Sequence, residues 1–262
     1  MVKKRSLTAE DQQRFRAILQ SATISALMDS RRWQPGELAF QGGTCLHLAH
    51  GSARFSEDLV FMVRGGLSLH GLSKEVQRRL QHLPGVPPDM AVKIKLWQTN
   101  AAALNSLKLL VRAIPSPTGP QAFVPTLTLE EIFADKVYAL GARDRLKARD
   151  VFDLWWLCEQ KAMAMDTDTL CTRLDIYPGE NMSRAQTAHQ WLAAAQLRLA
   201  DLRAAPTAAV VSADLKRWLP SSWKMDDAVA ATMIAVSLQK LVEGVAVMAA
   251  RFPRRGSPEA AS

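Results

Sequence analysis

The chain has few of the residues that build disulfide frameworks or metal fingers. It has three cysteines, Cys45, Cys158 and Cys171, in apolar helical contexts and with no Cys-x-x-Cys pair. That spacing argues against a disulfide-stapled fold and against a zinc site, and reads as reduced thiols in a cytoplasm. No long apolar run is unbroken. The longest, Ala228 to Ala250, is interrupted by Gln239, Lys240 and Glu243, so it reads as an amphipathic helix rather than a membrane span. The start, Met1-Val2-Lys3-Lys4-Arg5, is basic but runs into polar Asp11-Gln12-Gln13-Arg14, without the apolar core of a signal peptide. Acid is in deficit: 25 Asp and Glu against 33 Lys and Arg leave a net charge of +8, which favours a polyanionic partner. Internal repeats are also lacking.

What is present is ordinary globular material. At 262 residues and 48% apolar content, the chain suits one large domain or two small ones. Thr8 caps a helix running to Met28, with Glu10 and Asp11 in its first turn. Glu37 to Phe40 reads as a strand ending in Gly42-Gly43, Thr44 to His50 as a short helix, and Asp58 to Val63 as a second strand. Ser73 caps a further helix. Ala91 to Trp97 alternates with period two, as a half-buried strand does, and Leu107 to Ala113 is another strand. The loop 114–120, rich in proline, reads as a lobe boundary. Beyond it come helices from Thr128, from Asp150, and over Asp166–Leu174, Ser183–Arg203, Ala213–Leu219 and Asp226–Arg251. The expected fold class is α+β. An N-terminal α/β lobe (1–120), with a small mixed sheet flanked by helices, precedes an all-helical C-terminal lobe (121–252) and a disordered tail (253–262).

Three stretches carry chemistry. The first is Gly42-Gly43-Thr44, followed across a helix and a turn by Arg54-Phe55-Ser56-Glu57-Asp58. Two glycines at a helix N-terminus leave backbone N–H groups free to face phosphates, and Asp58 beside them can hold a metal ion. Arg54 either steadies a phosphate or makes a surface ion pair. The second is Thr128 to Ala139. Here Glu131 and Lys136 lie at a poor spacing for an ion pair, and Lys136 shares a face with Phe133 and Leu140. A lysine so placed either snorkels, which spacing alone favours, or points at an anion in a cleft. The third is Arg145 to Leu154. Asp150 and Asp153 share a helix face, and Asp150 either caps that helix or orients Lys136 or a substrate hydroxyl. The basic run 143–149 is either a solvated linker or a seat for an RNA backbone. His47 and His50 have no partner at metal-ligand spacing and read as packing or surface residues.

In this order the three stretches resemble the AbiEii/AbiGii family of toxins, over about Phe40 to Leu157. The resemblance rests on Gly42-Gly43-Thr44 with Arg54-Phe55-Ser56-x-Asp58-Leu59, then Thr128, Glu131, Lys136 and Ala139, then Arg149, Asp150, Asp153 and Leu154. It implies a nucleotidyltransferase with a DNA polymerase beta-like core, with the active cleft between the lobes. Gly42, Gly43, Thr44, Arg54 and Ser56 would bind the nucleoside triphosphate. Asp58 would ligate Mg²⁺ or Mn²⁺. Lys136 would contact phosphate or the attacking hydroxyl, and Asp150 or Asp153 would complete the site. It further implies transfer of a nucleotide from an NTP to RNA, at the 3′ end of tRNA. The setting would be a toxin–antitoxin or abortive-infection system for antiviral defence, with a cognate antitoxin as partner.

One position departs from that pattern. The second metal-binding carboxylate should stand two residues after Asp58, where this chain has Val60. The next strand, Ala91 to Trp97, offers Lys93 and Lys95 but no acid, and strand alternation turns Glu57 to the opposite face from Asp58. The protein is therefore either an active transferase with a reduced metal site or a degenerate one that binds nucleotide, RNA or a protein partner.

Overall fold

A computed structural model describes residues 8–81, 83, 86–87, 90–116, 119–177, 187–204 and 207–253. The chain divides into two compact units. One reaches to Thr128 and takes in Trp218–Pro220, and the other comprises Leu129–Arg217 and the chain from Ser221 onward.

The first unit opens with α1 (Ala9–Asp29). Thr8 accepts a hydrogen bond from the Asp11 N–H while Asp11 reaches back to the Thr8 backbone, a reciprocal cap that satisfies two otherwise orphaned donors. Then follow β1 (Leu38–Gln41), α2 (Gly42–His50), β2 (Leu59–Arg64), α3 (Leu72–Leu80), β3 (Ile94–Thr99), α4 (Ala101–Ser106), β4 (Leu109–Ile114) and β5 (Ala122–Leu127). Among the described residues the strands form one sheet in the order β3-β2-β1-β5-β4. It is mixed: β1 runs antiparallel to β2 and parallel to β5, while β2 and β3 are parallel. Every residue of β1 is buried, as a central strand covered on both faces requires. Phe40 and Phe61 are register partners, and their rings stack at 4.8 Å.

Three local features differ from the sequence reading. The helix after Gly71 is capped by that glycine in a left-handed conformation, and Ser73 lies inside its first turn without capping it. The third strand begins at Ile94, three residues later than its alternation suggested. Beyond the proline-rich loop the chain returns to the same sheet as β5 before the helices begin. Pro125 conceals this strand, because it removes a ladder donor from the interior of a sheet.

The second unit holds α5 (Leu129–Ala142), α6 (Ala148–Lys161), α7 (Thr167–Cys171), α8 (Arg173–Ile176), α9 (Ala188–Arg203), α10 (Thr207–Leu215) and α11 (Asp227–Arg251). The segment read as one helix from Asp166 is two short ones that meet at Thr172. The segment read from Ala213 is α10, set six residues earlier. The part of the Ser183–Arg203 helix before Thr187, and the tail after Pro253, lie outside the described residues. By length and hydropathy alone α11 could cross a membrane. Its buried residues, from Ala230 through Ile234, Leu241 and Gly244 to Met248, recur at helical spacing, and the helix packs on α6, α9 and α10. Tyr138 on α5 stacks with Trp191 on α9, whose indole N–H donates to the Tyr138 carbonyl at 2.9 Å.

Candidate functional site

The motif residues fall into two groups, one in each unit. In the first unit, β1 ends at Gln41 and α2 starts at once. Gly42 sits at φ +81°, a left-handed conformation that glycine adopts without strain. The free N–H groups of the first turn therefore open directly from the end of a buried strand. Thr44 is fully buried, and its hydroxyl donates to the Asp58 carbonyl at 2.6 Å. That bond ties the helix start to the chain entering β2.

Arg54 is buried, not a surface residue as one reading had it. Its guanidinium donates to the Phe55 carbonyl at 2.8 Å and lies against Gly43. A β-carbon at Gly43 would overlap that guanidinium and come within 3.1 Å of the Ser56 hydroxyl. Gly43 thus gives room for a close approach that brings Arg54 and Ser56 onto the first turn of α2. The loop carrying them is held from three sides. Gln20 of α1 donates to the Ser56 and Glu57 carbonyls at 2.7 and 3.1 Å. The Phe55 N–H donates to the Trp218 carbonyl at 2.7 Å. The imidazole of His47 bonds the Ser52 carbonyl through Nδ1 at 2.7 Å and packs on the Phe55 ring. Burial holds His47 below the usual histidine range; the bond to Ser52 opposes this and the charge of Arg54 adds to it. His50 bonds the Leu127 carbonyl through Nε2 at 3.2 Å.

Gln41, Val60 and Lys95 are register partners on three adjacent strands, so they share a row across one face of the sheet. The ammonium of Lys95 pairs with the Asp58 carboxylate. Sequence reading noted Lys95 only as a missing acid. Its role depends on strand register, which no local spacing reveals.

In the second unit, Lys136 does not snorkel. Its residue is buried, and its ammonium lies 3.2 Å from Asp150 Oδ1 and 2.5 Å from Asp153 Oδ2. Asp150 is the third residue of α6 rather than its cap, and its other oxygen lies 2.9 Å from Arg143 Nη1. Two buried carboxylates are therefore matched by two cations. Arg143 was read only as part of a basic linker. Glu131 points elsewhere, to the buried Arg173, which also pairs with Asp135 at 2.8 Å. At Lys147, burial and then the neighbouring charge of Arg143 pull the ammonium below its usual value, with Asp150 opposing.

A mixed five-stranded sheet flanked by helices, with a glycine-led helix start and a buried arginine against it, is the fold of a nucleotidyltransferase. The chain belongs to the family described as nucleotidyl transferase AbiEii toxin, type IV toxin–antitoxin system, which matches residues 26–103 and 106–231. It is accordingly a nucleotidyltransferase enzyme of a toxin–antitoxin family, with a nucleotide substrate and an antitoxin partner implied by that membership. Among solved structures, it is similar to the nucleotidyltransferase toxin MenT4 of Mycobacterium tuberculosis H37Rv, with 13% identity over 95% of this chain and 91% of that one and a TM-score of 0.56. It also matches JHP933 from Helicobacter pylori, at 18% identity over 94% and 97% of the two chains and a TM-score of 0.46. No curated protein sequence matches the chain.

Such transferases generally use a divalent metal with the triphosphate. The donors here do not fit a pair of cations. Val60 has no ligand atom, Lys95 stands at the matching register of β3, and Asp58 is engaged by that lysine. Among the described residues no three His, Cys, Asp or Glu side chains gather as a metal site.

Proposed function

We propose that the protein transfers a nucleotide from a nucleoside triphosphate to RNA, at the 3′ end of tRNA. The observation that carries this reading is the helix start at Gly42-Gly43-Thr44, with Arg54 and Ser56 brought against it. It offers backbone N–H groups, the Ser56 hydroxyl and the nearby charge of Arg54 to phosphate oxygens. In the transfer a ribose hydroxyl oxygen bonds to the α-phosphorus, and the bond from that phosphorus to the β-phosphate bridge oxygen breaks. Pyrophosphate leaves and the hydroxyl proton passes to solvent. Asp58 fixes Lys95 beside the helix start. Within the second unit, Lys136 is held by Asp150 and Asp153 and is the cation that the family motif assigns to phosphate or the attacking hydroxyl. The net charge of +8 and the basic run 143–149 favour RNA as acceptor. Modification of tRNA would block translation. That suits a toxin restrained in the cytoplasm by a cognate antitoxin and released in antiviral defence.

The test is incubation of purified protein with Mg²⁺, each labelled NTP and total tRNA. Label on RNA is expected from wild type and not from Asp58→Asn. Label transferred by Val60→Asp but not by wild type would instead assign a degenerate transferase, a reading that Val60 itself supports.

A further inference from the structure

We propose that Lys95 is the resident cation of the Asp58 site, so that this protein binds the triphosphate of its nucleotide without a divalent metal ion. The proposal rests on the nucleotide-binding reading above and concerns how that site balances charge.

Lys95 and Val60 are register partners on parallel strands, and Asp58 lies two residues before Val60, where alternation returns it to the same face. The strand pairing persists at that point, since the Leu59 N–H donates to the Lys93 carbonyl at 2.9 Å. Val60 also meets the helix start: a β-carbon on Gly42 would lie 3.5 Å from the Val60 β-carbon. Asp58, Val60, Lys95 and the first turn of α2 therefore surround one small region. An acid at position 60 would leave that region one charge negative even with Lys95 in place. With Val60 present and Lys95 paired to Asp58, the two charges cancel.

A divalent cation placed at Asp58 would meet an ammonium already there, and like charges a few ångströms apart repel. A triphosphate meets the opposite field. Lys95 keeps 39% of its side chain exposed, has three donors on a flexible stem, and can bridge from Asp58 to phosphate oxygens. Lysine as a point charge is a common phosphate ligand. Asp58 then acts as a positioning residue that aims Lys95, and Lys95 does the neutralising that a metal does in a carboxylate-rich site.

The test is isothermal titration calorimetry of the full chain with each common ribonucleoside triphosphate, in MgCl2 and in EDTA. Wild type is expected to bind its preferred nucleotide in EDTA within about threefold of its affinity in Mg²⁺. Lys95→Met should lower the EDTA affinity about tenfold or more, with Lys95→Arg recovering part of the loss. Val60→Asp combined with Lys95→Asp should make binding depend on Mg²⁺. Wild-type binding that needs Mg²⁺, or that weakens beyond threefold in EDTA, overturns the proposal and leaves the nucleotide reading standing. So does a folded Lys95→Met with unchanged affinity in EDTA. Absence of binding with and without Mg²⁺ overturns both readings. The wild-type comparison requires no substitution, so it decides even if the variants fail to fold.

Discussion

The guanidinium of Arg54 lies where a side chain on Gly43 would have to be. The second glycine of the motif is therefore fixed by a neighbour, whereas the first is fixed by its backbone angle of +81°. Gly43→Ala should force Arg54 from a buried position in which its guanidinium holds the Phe55 carbonyl. The expected cost is about 1–3 kcal/mol in urea unfolding, as for other overpacked sites, together with weaker NTP binding. Adding Arg54→Ala to Gly43→Ala should relieve the overlap without restoring NTP binding. A Gly43→Ala protein with wild-type stability and affinity would show that Arg54 is not held against the helix start.

Lys136 makes a second separable prediction. It sits between Asp150 and Asp153, whose side chains are 3% and 0% exposed, so removing its charge leaves buried carboxylates undercompensated. Lys136→Met should destabilise the protein by about 3–5 kcal/mol. The exposed control Lys74→Met should stay within about 0.5 kcal/mol of wild type. Lys136→Met combined with Asp153→Asn should recover part of the loss, because it removes one unpaired charge along with its partner. Equal stability of Lys136→Met and wild type would mean that the ammonium reaches solvent instead.

The elements were legible where their causes are local. Thr8 with Asp11 and Asp226 with Val229 are caps written within four residues of sequence, and both helices begin where those caps place them. The glycine pair followed by Arg54 to Asp58 showed the strand–helix–strand unit for the same reason. What stayed hidden depends on distant partners. Lys136 finds Asp150 and Asp153 because α5 packs on α6, and the sequence offers Asp150 as its partner only as one of two alternatives. Lys95 meets Asp58 through the register of β2 and β3 across 37 residues. Pro125 argued locally against a strand, and pairing with β4 overrode it.

Gly141 tests packing in the helical unit. A β-carbon there would approach Trp191 at 2.6 Å from Cζ2 and 2.7 Å from Cε2. The indole is fully buried, and its N–H is held by the Tyr138 carbonyl, so it has little room to yield. Gly141→Ala should cost about 1–3 kcal/mol despite the better helix propensity of alanine, which alone would add up to about 1 kcal/mol. Chemical denaturation followed by far-ultraviolet circular dichroism reads the stability. A stabilised Gly141→Ala protein would show that α5 and α9 can separate freely.

His47 gives the pH dependence of the first unit. Burial holds its imidazole below the ordinary value of 6.5, so the folded protein favours the neutral ring more than the unfolded chain does. Between the depressed folded value and 6.5 the unfolded state therefore binds more protons, and stability rises with pH. The contribution of His47 is fully present above 6.5 and is lost as pH falls through the folded value. Its position makes the loss local. The ring bonds the Ser52 carbonyl and packs on Phe55, so charging it loosens the loop that holds Arg54 and Ser56 at the helix start. Acidification from pH 7.5 to 5.5 should lower the urea midpoint of wild type more than that of His47→Gln, which keeps a donor and cannot titrate. NTP affinity should fall over the same interval in wild type, and less in the variant. Parallel declines in the two proteins would place the acid sensitivity in other groups.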